Sequence, residues 1–384
     1  MQSLKNYNPI KFLDEFRGKD FKGTWPTLVE VFKITVKRFG QRNAFTDWDT
    51  DDGSKRTYSY NEVYEKVEKL AKWLVQNGIK KGDRIAVTGK NSPEWATVYL
   101  ATLFAGGIIC PIDYALHENE IENLLATSEP KFLFVDSEKI NYFISKETDY
   151  AVYGLNRKEQ KYVYDLQPTE EVELKQYPSE EDTAAILFTS GTTDTPKGVM
   201  LSHKNLVSDA YIAQYHMIID YNDVFYALLP IHHAYTMLAV FIESISIGAE
   251  IVFGKSMAVS KLMKELKEGK ITMLLGVPML FNKLAAGILN GIKQKGAVVY
   301  GVLKFLMEIA YIIKKITKLN VGHKMFNAVL KKANINTIRI AICGGGPLAK
   351  SVFKLYNQLG IDFVQGYGLT ETSPIIALNP IQHF

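Results

Sequence analysis

Apolar residues along this chain alternate between short uninterrupted runs and runs at helical spacing. After a capping box formed by Ser59 and Glu62, apolar positions recur three and four residues apart until Gly78, which predicts an amphipathic helix. Uninterrupted apolar runs follow at residues 84–88, 107–112 and 131–135, each preceded by a helical pattern. Helices that alternate with buried strands through short loops favour parallel sheets covered by helices on both faces. The pattern therefore predicts an α/β fold.

The same alternation resumes after a stretch of mixed charge and weak periodicity at residues 141–181. Strands are predicted at residues 184–188, 224–229, 250–253, 271–277, 339–343 and 362–365, with helices between most of them. We interpret residues 1–181 as a first lobe with an N-terminal extension and a crossover at its end. Residues 182–384 form a second lobe that opens with the strand at 184–188. Each lobe is expected to hold a mainly parallel β-sheet flanked by helices.

Residues 291–334 differ from this alternation. Eight apolar residues recur there at helical spacing and form one stripe: Val298, Val302, Phe305, Leu306, Ile309, Ile312, Ile313 and Ile316. The same segment holds nine lysines and one glutamate, a net charge of +8, whereas the whole chain carries +4. A basic amphipathic segment of this kind, at residues 293–332, suits an anionic membrane surface. The alternative is that the stripe packs on the lobe and leaves the lysines in water.

Composition limits the functional classes. The 384 residues suffice for a large core and more than one lobe, and a formal charge of +4 does not indicate nucleic acid binding. Cys110 and Cys343 lie far apart in apolar runs, which indicates buried free thiols. The first nine residues lack the apolar segment of a secretory signal. We therefore expect a cytoplasmic protein, with peripheral attachment to the inner membrane surface as an alternative.

The stretch at residues 186–199 combines the features of a phosphate-binding loop. A buried apolar strand is followed by hydroxyls and glycines at 189–195 and then by Lys197. Backbone N–H groups, hydroxyls and an ammonium group are donors that bind polyphosphates. The spacing differs from the common phosphate loop, which requires glycine at the position of Pro196 and serine or threonine at that of Gly198. The alternative for any few of these residues is a threonine-rich surface turn.

Three further polar or glycine-bearing segments follow predicted strands. They are Leu229–Tyr235, which contains the pair His232 and His233, Gly344–Leu348, and Gly366–Pro374. The last two are not dinucleotide fingerprints, because each lacks a final spaced glycine. Ligands bind at the carboxyl ends of parallel strands, so we expect the phosphate loop and both glycine loops at one edge of one sheet.

Together these four motifs resemble the adenylate-forming superfamily, which includes acyl-CoA synthetases, luciferases and the adenylation domains of peptide synthetases. They agree in identity, order and approximate spacing, and the resemblance extends from Trp25-Pro26-Thr27-Leu28 to the end of the chain. It implies that a carboxylate attacks the α-phosphorus of ATP to give an acyl-adenylate and pyrophosphate, and that a thiol then takes the acyl group. Such a reaction requires positioning and electrostatic stabilisation but no protein nucleophile.

The resemblance also implies roles for individual residues. The β- and γ-phosphates would contact Thr189, Ser190, Gly191, Thr192, Thr193 and Lys197. The adenine would contact Gly344, Gly345, Gly346, Pro347, Gln365, Gly366, Tyr367, Gly368 and Leu369, with Tyr367 stacked on the base. The expected catalytic residues are His233 near the substrate carboxylate, Lys197, Thr370 at the α-phosphate, and Glu371, which would bind Mg²⁺ with Thr189. The acyl path would contact His232, and also Tyr235 and Met237 unless these two simply pack in the core.

Two features depart from the family pattern. Asp194 stands where glycine is most frequent, and we expect an unchanged backbone with the carboxylate pointing away from the phosphates. The chain also stops at Phe384, before the family's β-rich subdomain and its mobile C-terminal lobe with a bridging lysine. We therefore expect a fragment of a larger enzyme that binds nucleotide weakly and adenylates poorly on its own.

The insertion between Val277 and the Gly344 loop resembles that of long-chain fatty acyl-CoA synthetases. A long chain needs an apolar tunnel, because each buried CH₂ contributes about 0.8 kcal/mol. The resemblance therefore implies ligation of a long-chain fatty acid to coenzyme A with ATP and Mg²⁺, by a monomer or a homodimer. The alternatives are another chain length or an aromatic acid, transfer to acyl carrier protein, and a non-catalytic module that binds nucleotide or acyl-adenylate.

Overall fold

Two β-sheets and the helices around them form the described part of the protein. A computed structural model describes residues 11–49, 52–159, 161–189, 196–215, 217–255 and 258–381. The strands are β1 (Asn43–Trp48), β2 (Lys55–Ser59), β3 (Arg84–Thr88), β4 (Ile108–Ile112), β5 (Phe132–Val135), β6 (Ala151–Gly154), β7 (Thr183–Thr189), β8 (Lys197–Ser202), β9 (Val224–Ala227), β10 (Glu250–Phe253), β11 (Met273–Gly276), β12 (Ile340–Cys343), β13 (Asp362–Gly368) and β14 (Ile375–Leu378).

The helices connect these strands and cover the sheets. They are α1 (Lys11–Phe16), α2 (Leu28–Phe39), α3 (Tyr60–Gln76), α4 (Pro93–Phe104), α5 (Glu118–Ser128), α6 (Ser137–Ile144), α7 (His203–Gln214), α8 (Ala234–Thr236), α9 (Glu243–Ile247), α10 (Val259–Glu268), α11 (Pro278–Lys293), α12 (Ala297–Thr317), α13 (Gly322–Met325), α14 (Asn327–Lys332) and α15 (Lys350–Leu359). A π-helical stretch, Met237–Ile242, joins α8 to α9, and short 3₁₀ turns occur at Val163–Asp165 and Thr370–Thr372.

Both sheets are mainly parallel. The strand order is β6-β5-β3-β4-β7-β8 in the six-stranded sheet and β14-β13-β12-β11-β9-β10-β1-β2 in the eight-stranded sheet. Antiparallel pairs lie at the edges, between β7 and β8, β1 and β2, and β13 and β14. The predicted α/β class with two helix-flanked, mainly parallel sheets is therefore confirmed. Cys110 on β4 and Cys343 on β12 are buried free thiols, as predicted.

The two sheets do not divide the chain at residue 181. Strand β1 pairs in parallel with β10, so residues 43–59 belong to the eight-stranded sheet. Strand β7 pairs in parallel with β4, so the prediction that it opens the second lobe is wrong. Pairing between strands that are distant in sequence leaves no local trace in the hydrophobic pattern. Consequently, the strands that flank the phosphate loop belong to one sheet and the strands of the two glycine loops to the other, not all to one sheet as predicted.

The hydrophobic pattern does not predict β6 and β8. Residues 141–181, interpreted as a crossover, contain β6 beside β5. Strand β8 forms a hairpin with β7, and Gly198 permits the close approach, because a Cβ there would lie 2.8 Å from Ile186 Cγ2. The phosphate-binding motif therefore connects two antiparallel strands before the chain enters α7.

Helix α4 fixes the orientation of the two sheets. It contacts β3 and β4 of one sheet and β1 of the other, and all of its residues are buried. The hydroxyls of Thr97 and Thr102 donate to backbone carbonyls of the same helix at 2.8 Å, so their burial leaves no donor unpaired. This mostly apolar segment of the sequence is thus a core helix. Within the described residues, no helix has the length and apolar character needed to cross a bilayer.

An ion cluster covers the same junction between the sheets. Arg56 on β2 donates to Asp47 on β1 at 2.8 Å and to Glu94 in α4 at 3.2 Å, and Lys255 Nζ lies 2.9 Å from Asp47. Burial alone would raise the pKa of Asp47, but Arg56 and Lys255 hold it below its ordinary value. Each buried charge therefore has a partner, as burial of an ion requires.

The insertion packs with a different face from the one that the sequence suggests. Helix α12 contacts α11 and α15 and buries Met307, Ala310 and Lys314. Lys314 Nζ lies 2.7 Å from both Asn357 Oδ1 and Asp362 Oδ1, which anchors α12. Five members of the predicted stripe are exposed: Val298, Val302, Phe305, Ile312 and Ile316. The alternative in which the stripe packs on the lobe is therefore wrong.

Candidate functional site

The β7–β8 hairpin carries the predicted phosphate-binding residues at its loop. Thr189 ends β7 and pairs in register with Lys197, an exposed residue that begins β8. Residues 190–195 lie outside the described part of the chain; they include Ser190, Gly191, Thr192, Thr193 and Asp194. Thr189 and Lys197 therefore flank the two ends of the predicted phosphate loop.

An open cleft of about 860 Å³ lies next to this hairpin, between the two sheets. One wall comes from the six-stranded sheet, with Thr189, Pro196, the residues that follow β4, and helix α5. The other wall holds His232, His233 and Thr370, which follow strands of the eight-stranded sheet. Loops at the carboxyl ends of parallel strands from both sheets thus face one another across the cleft.

Asn91 holds the loop that carries the histidine pair, a role that the sequence analysis misses. Its Nδ2 donates to the carbonyls of Ala227 and Leu229, both at 2.8 Å, and its Oδ1 accepts from the N–H of Ile231 at 3.0 Å. Asn91 is buried, so these bonds replace hydrogen bonds to water for its side-chain amide and for the three backbone groups. The available sequence signal is a polar residue soon after strand β3, at the carboxyl edge of the sheet.

Asp113, His232 and His233 form the ionisable centre of the cleft. Their potential ligand atoms lie within 4.8 Å of one another, and His232 Nε2 is 3.4 Å from Asp113 Oδ1. Within the described residues, that nitrogen has no hydrogen-bond partner. The His232 ring lowers the pKa of Asp113 to about 2, and burial lowers the pKa of His233. At neutral pH, Asp113 is ionised and His233 is neutral. The sequence analysis misses Asp113, although it directly follows β4.

A second, mostly apolar cavity of about 220 Å³ adjoins the cleft. The two share His233, Ala234 and Thr370 in their walls. The remaining walls come from α7, from the helical segment after His233, from the glycine loop after β12 and from the end of β13 with β14. The cleft and the apolar cavity therefore meet at His233 and Thr370.

The glycine loop after β12 presents bare backbone to the apolar cavity. Gly344 lies against the ring of Tyr235, where a Cβ would be 2.9 Å from Cζ, and Tyr235 donates to the carbonyl of Ile342 at 3.1 Å. Gly345 has a φ of +72°, a conformation that favours glycine. A wall without side chains admits a flat ligand close to the backbone, which fits the predicted adenine site. Gly346 and Pro347 are exposed and are not among the wall residues.

The end of β13 lines the same cavity. The residues that contribute to the wall are Gly366, Tyr367, Gly368, Leu369 and Thr370. Tyr367 is 64% exposed, so its ring is open to a ligand. A Cβ on Gly368 would overlap the carbonyl oxygen of Pro374 at 1.8 Å, so the tight turn into β14 requires glycine here. Gln365 pairs with Cys343 in the sheet and is not among the wall residues.

Three predicted contact residues are not among the wall residues of the apolar cavity. Met237 is fully buried against α4, where the Tyr99 hydroxyl donates to its Sδ at 3.5 Å, so it packs in the core, which is the alternative given for this residue. His232 lines the cleft and not the apolar cavity, because its ring turns toward Asp113. Glu371 is exposed and lies outside both walls, whereas Thr189 lines the cleft. The magnesium role of Glu371 stays a prediction.

Glu243 is a buried acid in the wall of the apolar cavity. Gln214 Nε2 donates to its Oε2 at 3.3 Å, while Oε1 has no hydrogen-bond partner within the described residues. Burial raises the pKa of Glu243 well above its ordinary value, and the nearby Asp209 adds to this effect. Burial also raises the pKa of Asp209 to about 6. Glu243 is thus a neutral carboxyl group at neutral pH. The sequence analysis also misses Glu243, although it is the single acidic residue within the mostly apolar run 237–247.

Comparison with known proteins identifies related sequences and folds. Residues 32–383 match the family described as AMP-binding enzyme. The chain is 28% identical over 365 residues to long chain acyl-CoA synthetase 8 of Arabidopsis thaliana, an alignment that covers 83% of this chain and 50% of that protein. It is 24% identical over 320 residues to a feruloyl-CoA synthase of an Amycolatopsis species, which covers 82% of this chain and 55% of that protein.

Solved structures share the fold. The crystal structure of a long-chain-fatty-acid-CoA ligase (FadD1) from Archaeoglobus fulgidus superposes with a TM-score of 0.72 at 21% sequence identity, over 93% of this chain and 67% of that one. The chain spans about half the length of the curated relatives described above.

Replacement of Asn91 by alanine tests the link between the sheets. Asn91→Ala removes three hydrogen bonds and leaves buried backbone groups unpaired, so the free energy of unfolding should fall by about 2–4 kcal/mol. Chemical denaturation measures this loss. Asn290→Ala, at an exposed position on α11, is the control and should change stability little. An equal, small effect of both substitutions would contradict the bridging role of Asn91.

The raised pKa of Glu243 predicts a pH-dependent effect of Glu243→Gln. The unfolded chain loses this proton near the ordinary pKa, about 4.3, while the native state keeps it to a higher pH. Above that ordinary value, the native state of the unmodified protein therefore loses up to about 1.4 kcal/mol of stability per pH unit. Glutamine does not titrate, so Glu243→Gln should gain stability relative to the unmodified protein between pH 5 and pH 7.5.

Chemical denaturation at both pH values measures the Glu243→Gln difference. Asp209 and Gln214 face the same carboxyl group but remain unchanged in the comparison. Glu65→Gln, at an exposed position on α3, is the matched control and should give the same difference at both pH values. If Glu243→Gln also gives a constant difference, the carboxyl group is not held neutral by burial.

Proposed function

The chain belongs to the AMP-binding enzyme family, and on that premise we propose that it binds the nucleotide and the acyl group of an ATP-dependent acid–thiol ligase. In the first step, the carboxylate of an acid and ATP give an acyl-adenylate and pyrophosphate, and in the second a thiol takes the acyl group. The observation that carries the proposal is the meeting of the cleft and the apolar cavity at His233 and Thr370. An acyl-adenylate needs such a junction, because its polar phosphate and its apolar chain require different surroundings.

The main physical problem of the first step is the repulsion between two anions. Thr189 and Lys197 would bind the β- and γ-phosphates from the hairpin, and the Thr370 hydroxyl would donate to the α-phosphate. The neutral imidazole of His233 can donate a hydrogen bond to the oxygen on which charge develops. The ionised Asp113 orients His232 through their contact and is not expected to touch phosphate.

The adenine is expected against the bare backbone of Gly344 and Gly345, with the exposed ring of Tyr367 on its other side. Mg²⁺ bound with ATP would neutralise part of the phosphate charge, and we propose Thr189 and Glu371 as its protein oxygen ligands. Both residues offer the hard oxygen atoms that Mg²⁺ prefers, and Thr189 lies in the cleft wall.

We propose a long-chain fatty acid as the acyl substrate and coenzyme A as the acceptor. The support is the relatives that are described as long-chain acyl-CoA synthetases. Acyl carrier protein remains the alternative acceptor. The described residues of 291–334 are not among the wall residues of the cleft or the apolar cavity. Some of them line a separate, mostly apolar pocket of about 210 Å³ beside α11 instead.

A hydroxylated aromatic acid is the second candidate substrate. Glu243 supports it, because a neutral carboxyl group with an unpaired oxygen in the cavity wall can bind a phenolic hydroxyl. A saturated chain would leave this oxygen unpaired, which is unfavourable in a buried site. The relative from Amycolatopsis is described as a feruloyl-CoA synthase, which agrees with this alternative.

Binding of non-hydrolysable acyl-adenylate mimics tests the proposal without requiring turnover. Calorimetry with palmitoyl, feruloyl and acetyl mimics should give the tightest binding for the palmitoyl compound, because its chain buries the most apolar surface in the cavity. Tightest binding of the feruloyl mimic, lost on Glu243→Leu, would favour the second candidate. Equal binding of all three would show that the apolar cavity does not select the acyl group.

Thr370→Val tests the junction itself. Valine keeps the shape of the side chain but removes the hydroxyl, so the affinity for every acyl-adenylate mimic should fall about 10–100-fold, the value of a hydrogen bond to a charged group. The affinity is measured by calorimetry. Thr317→Val, at an exposed position on α12, is the control and should leave it unchanged. If Thr370→Val binds as tightly as the control, the phosphate does not lie at the junction.

A further inference from the structure

Helix α12 carries apolar residues on two opposite faces. Met307 and Ala310 on the inner face are 3% and 1% exposed, and they pack against the second lobe. On the outer face, Val298 is 80%, Phe305 67% and Ile316 75% exposed. At about 100° per residue, the outer residues lie within roughly 40° of one line along the helix, opposite Met307. We call this outer face the α12 stripe and define it by Val298, Val302, Phe305, Ile309, Ile312 and Ile316.

The α12 stripe is long and continuous. From Val298 to Ile316 it extends about 27 Å at 1.5 Å per residue. Five of its six members are exposed, and Leu319, which follows the helix, is 53% exposed. Isolated exposed apolar residues are ordinary, but a continuous apolar face of this size indicates a binding surface. Its members are not among the wall residues of the cleft or the apolar cavity, so the candidate site does not explain their exposure.

The surroundings of the α12 stripe are strongly basic. Eight lysines of the insertion are exposed: Lys293, Lys295, Lys304, Lys315, Lys318, Lys324, Lys331 and Lys332. Within the described residues, none of these eight forms an ion pair with a carboxylate. The ninth, Lys314, is buried against Asp362, and the single acid of the segment, Glu308, pairs with Lys354. The positive charge around the stripe is therefore not neutralised by neighbouring residues.

This charge distinguishes between the possible occupants of the α12 stripe. A second copy of the chain would bring the same lysines together, and the like charges would oppose the contact. An anionic lipid surface offers negative headgroups for the lysines and an apolar boundary for the stripe. Lys304 and Lys315 lie beside the stripe on the helix, where their stems can follow the apolar surface while their ammonium groups reach the headgroups.

We propose that the α12 stripe and its exposed lysines dock this protein on anionic lipid bilayers, with α12 parallel to the membrane plane. The helix does not span the bilayer, in agreement with its polar flanks and its packing on α11 and α15. Docking rests on the surface of the insertion alone and requires neither nucleotide nor acyl substrate. The docking proposal therefore does not depend on the proposed ligase function.

Co-sedimentation with sucrose-loaded vesicles tests the proposal. At low salt, the protein should bind vesicles of phosphatidylcholine with about one-third phosphatidylserine and should bind pure phosphatidylcholine vesicles far more weakly. High salt should weaken the binding, because the lysine contacts are screened. Equal binding to both kinds of vesicle, or no binding to the anionic vesicles, would overturn the proposal.

Two pairs of variants separate the apolar and the electrostatic parts. Phe305→Ser with Ile316→Ser should lower the partition onto anionic vesicles about tenfold or more, because it removes the apolar contacts. Ile144→Ser, an exposed apolar position on α6, is its control. Lys304→Gln with Lys315→Gln should weaken binding and reduce its salt dependence, whereas Lys19→Gln with Lys69→Gln, also exposed, should not.

Sedimentation velocity without vesicles tests the competing occupant. If the protein self-associates and Phe305→Ser with Ile316→Ser abolishes this association, the α12 stripe is an interface between copies and the membrane proposal is wrong. Phe305, Ile316, Lys304 and Lys315 are all solvent-exposed, so their substitutions are expected to leave the fold intact. Unchanged denaturation midpoints verify that expectation. Unchanged calorimetric affinity for an acyl-adenylate mimic shows that docking and ligand binding are separate.

Discussion

The fixed orientation of the two sheets is the constraint on which the candidate site depends. The cleft takes Thr189 from one sheet and His233 and Thr370 from the other, so a rotation between the sheets would separate these groups. Helix α4, buried against both sheets, prevents this rotation through apolar packing. Asn91 fixes the relative position of two loops, because its three hydrogen bonds join the loop after β3 to the loop that carries the histidines. A catalytic arrangement assembled from two sheets requires such direct links.

The two acidic residues of the site differ in their burial and therefore in their charge. Asp113 stays ionised beside His232 in the open cleft, where water and ligands reach it. Glu243, in the wall of the apolar cavity, stays protonated because burial disfavours its charged form. The cleft side of the junction is therefore polar and charged, while the cavity side is apolar and neutral. This difference follows from burial, since both residues are carboxylic acids with similar ordinary pKa values.

The sequence predicts local features of this structure better than long-range ones. The Ser59–Glu62 capping box and the strand that ends before Gly344 are confirmed, because each depends on neighbouring residues, whereas β13 continues through Gly366 to Gly368. The exchange of β1 and β7 between the sheets is not predictable in this way, because the paired residues lie far apart in the sequence. Phe45 pairs with Ile251, and Ile109 pairs with Ala185. Motif resemblance finds Thr370 and His233, while Asn91 and Asp113 depend on contacts that appear only after folding.

Helix α12 shows why periodicity alone does not reveal which face of a helix is buried. The helix has apolar residues on two opposite sides, so both the inner and the outer face satisfy a helical repeat. The inner face is decided by polar contacts with α15 and with the start of β13. Lys314 contacts Asn357 on α15 and Asp362 on β13, and Glu308 contacts Lys354 on α15. A lysine among apolar residues would ordinarily mark an exposed side, yet Lys314 marks the buried side because its partners neutralise it. The remaining apolar face then points to solvent, surrounded by lysines that pair with no carboxylate within the described residues. Docking on an anionic surface, as proposed, would use both features.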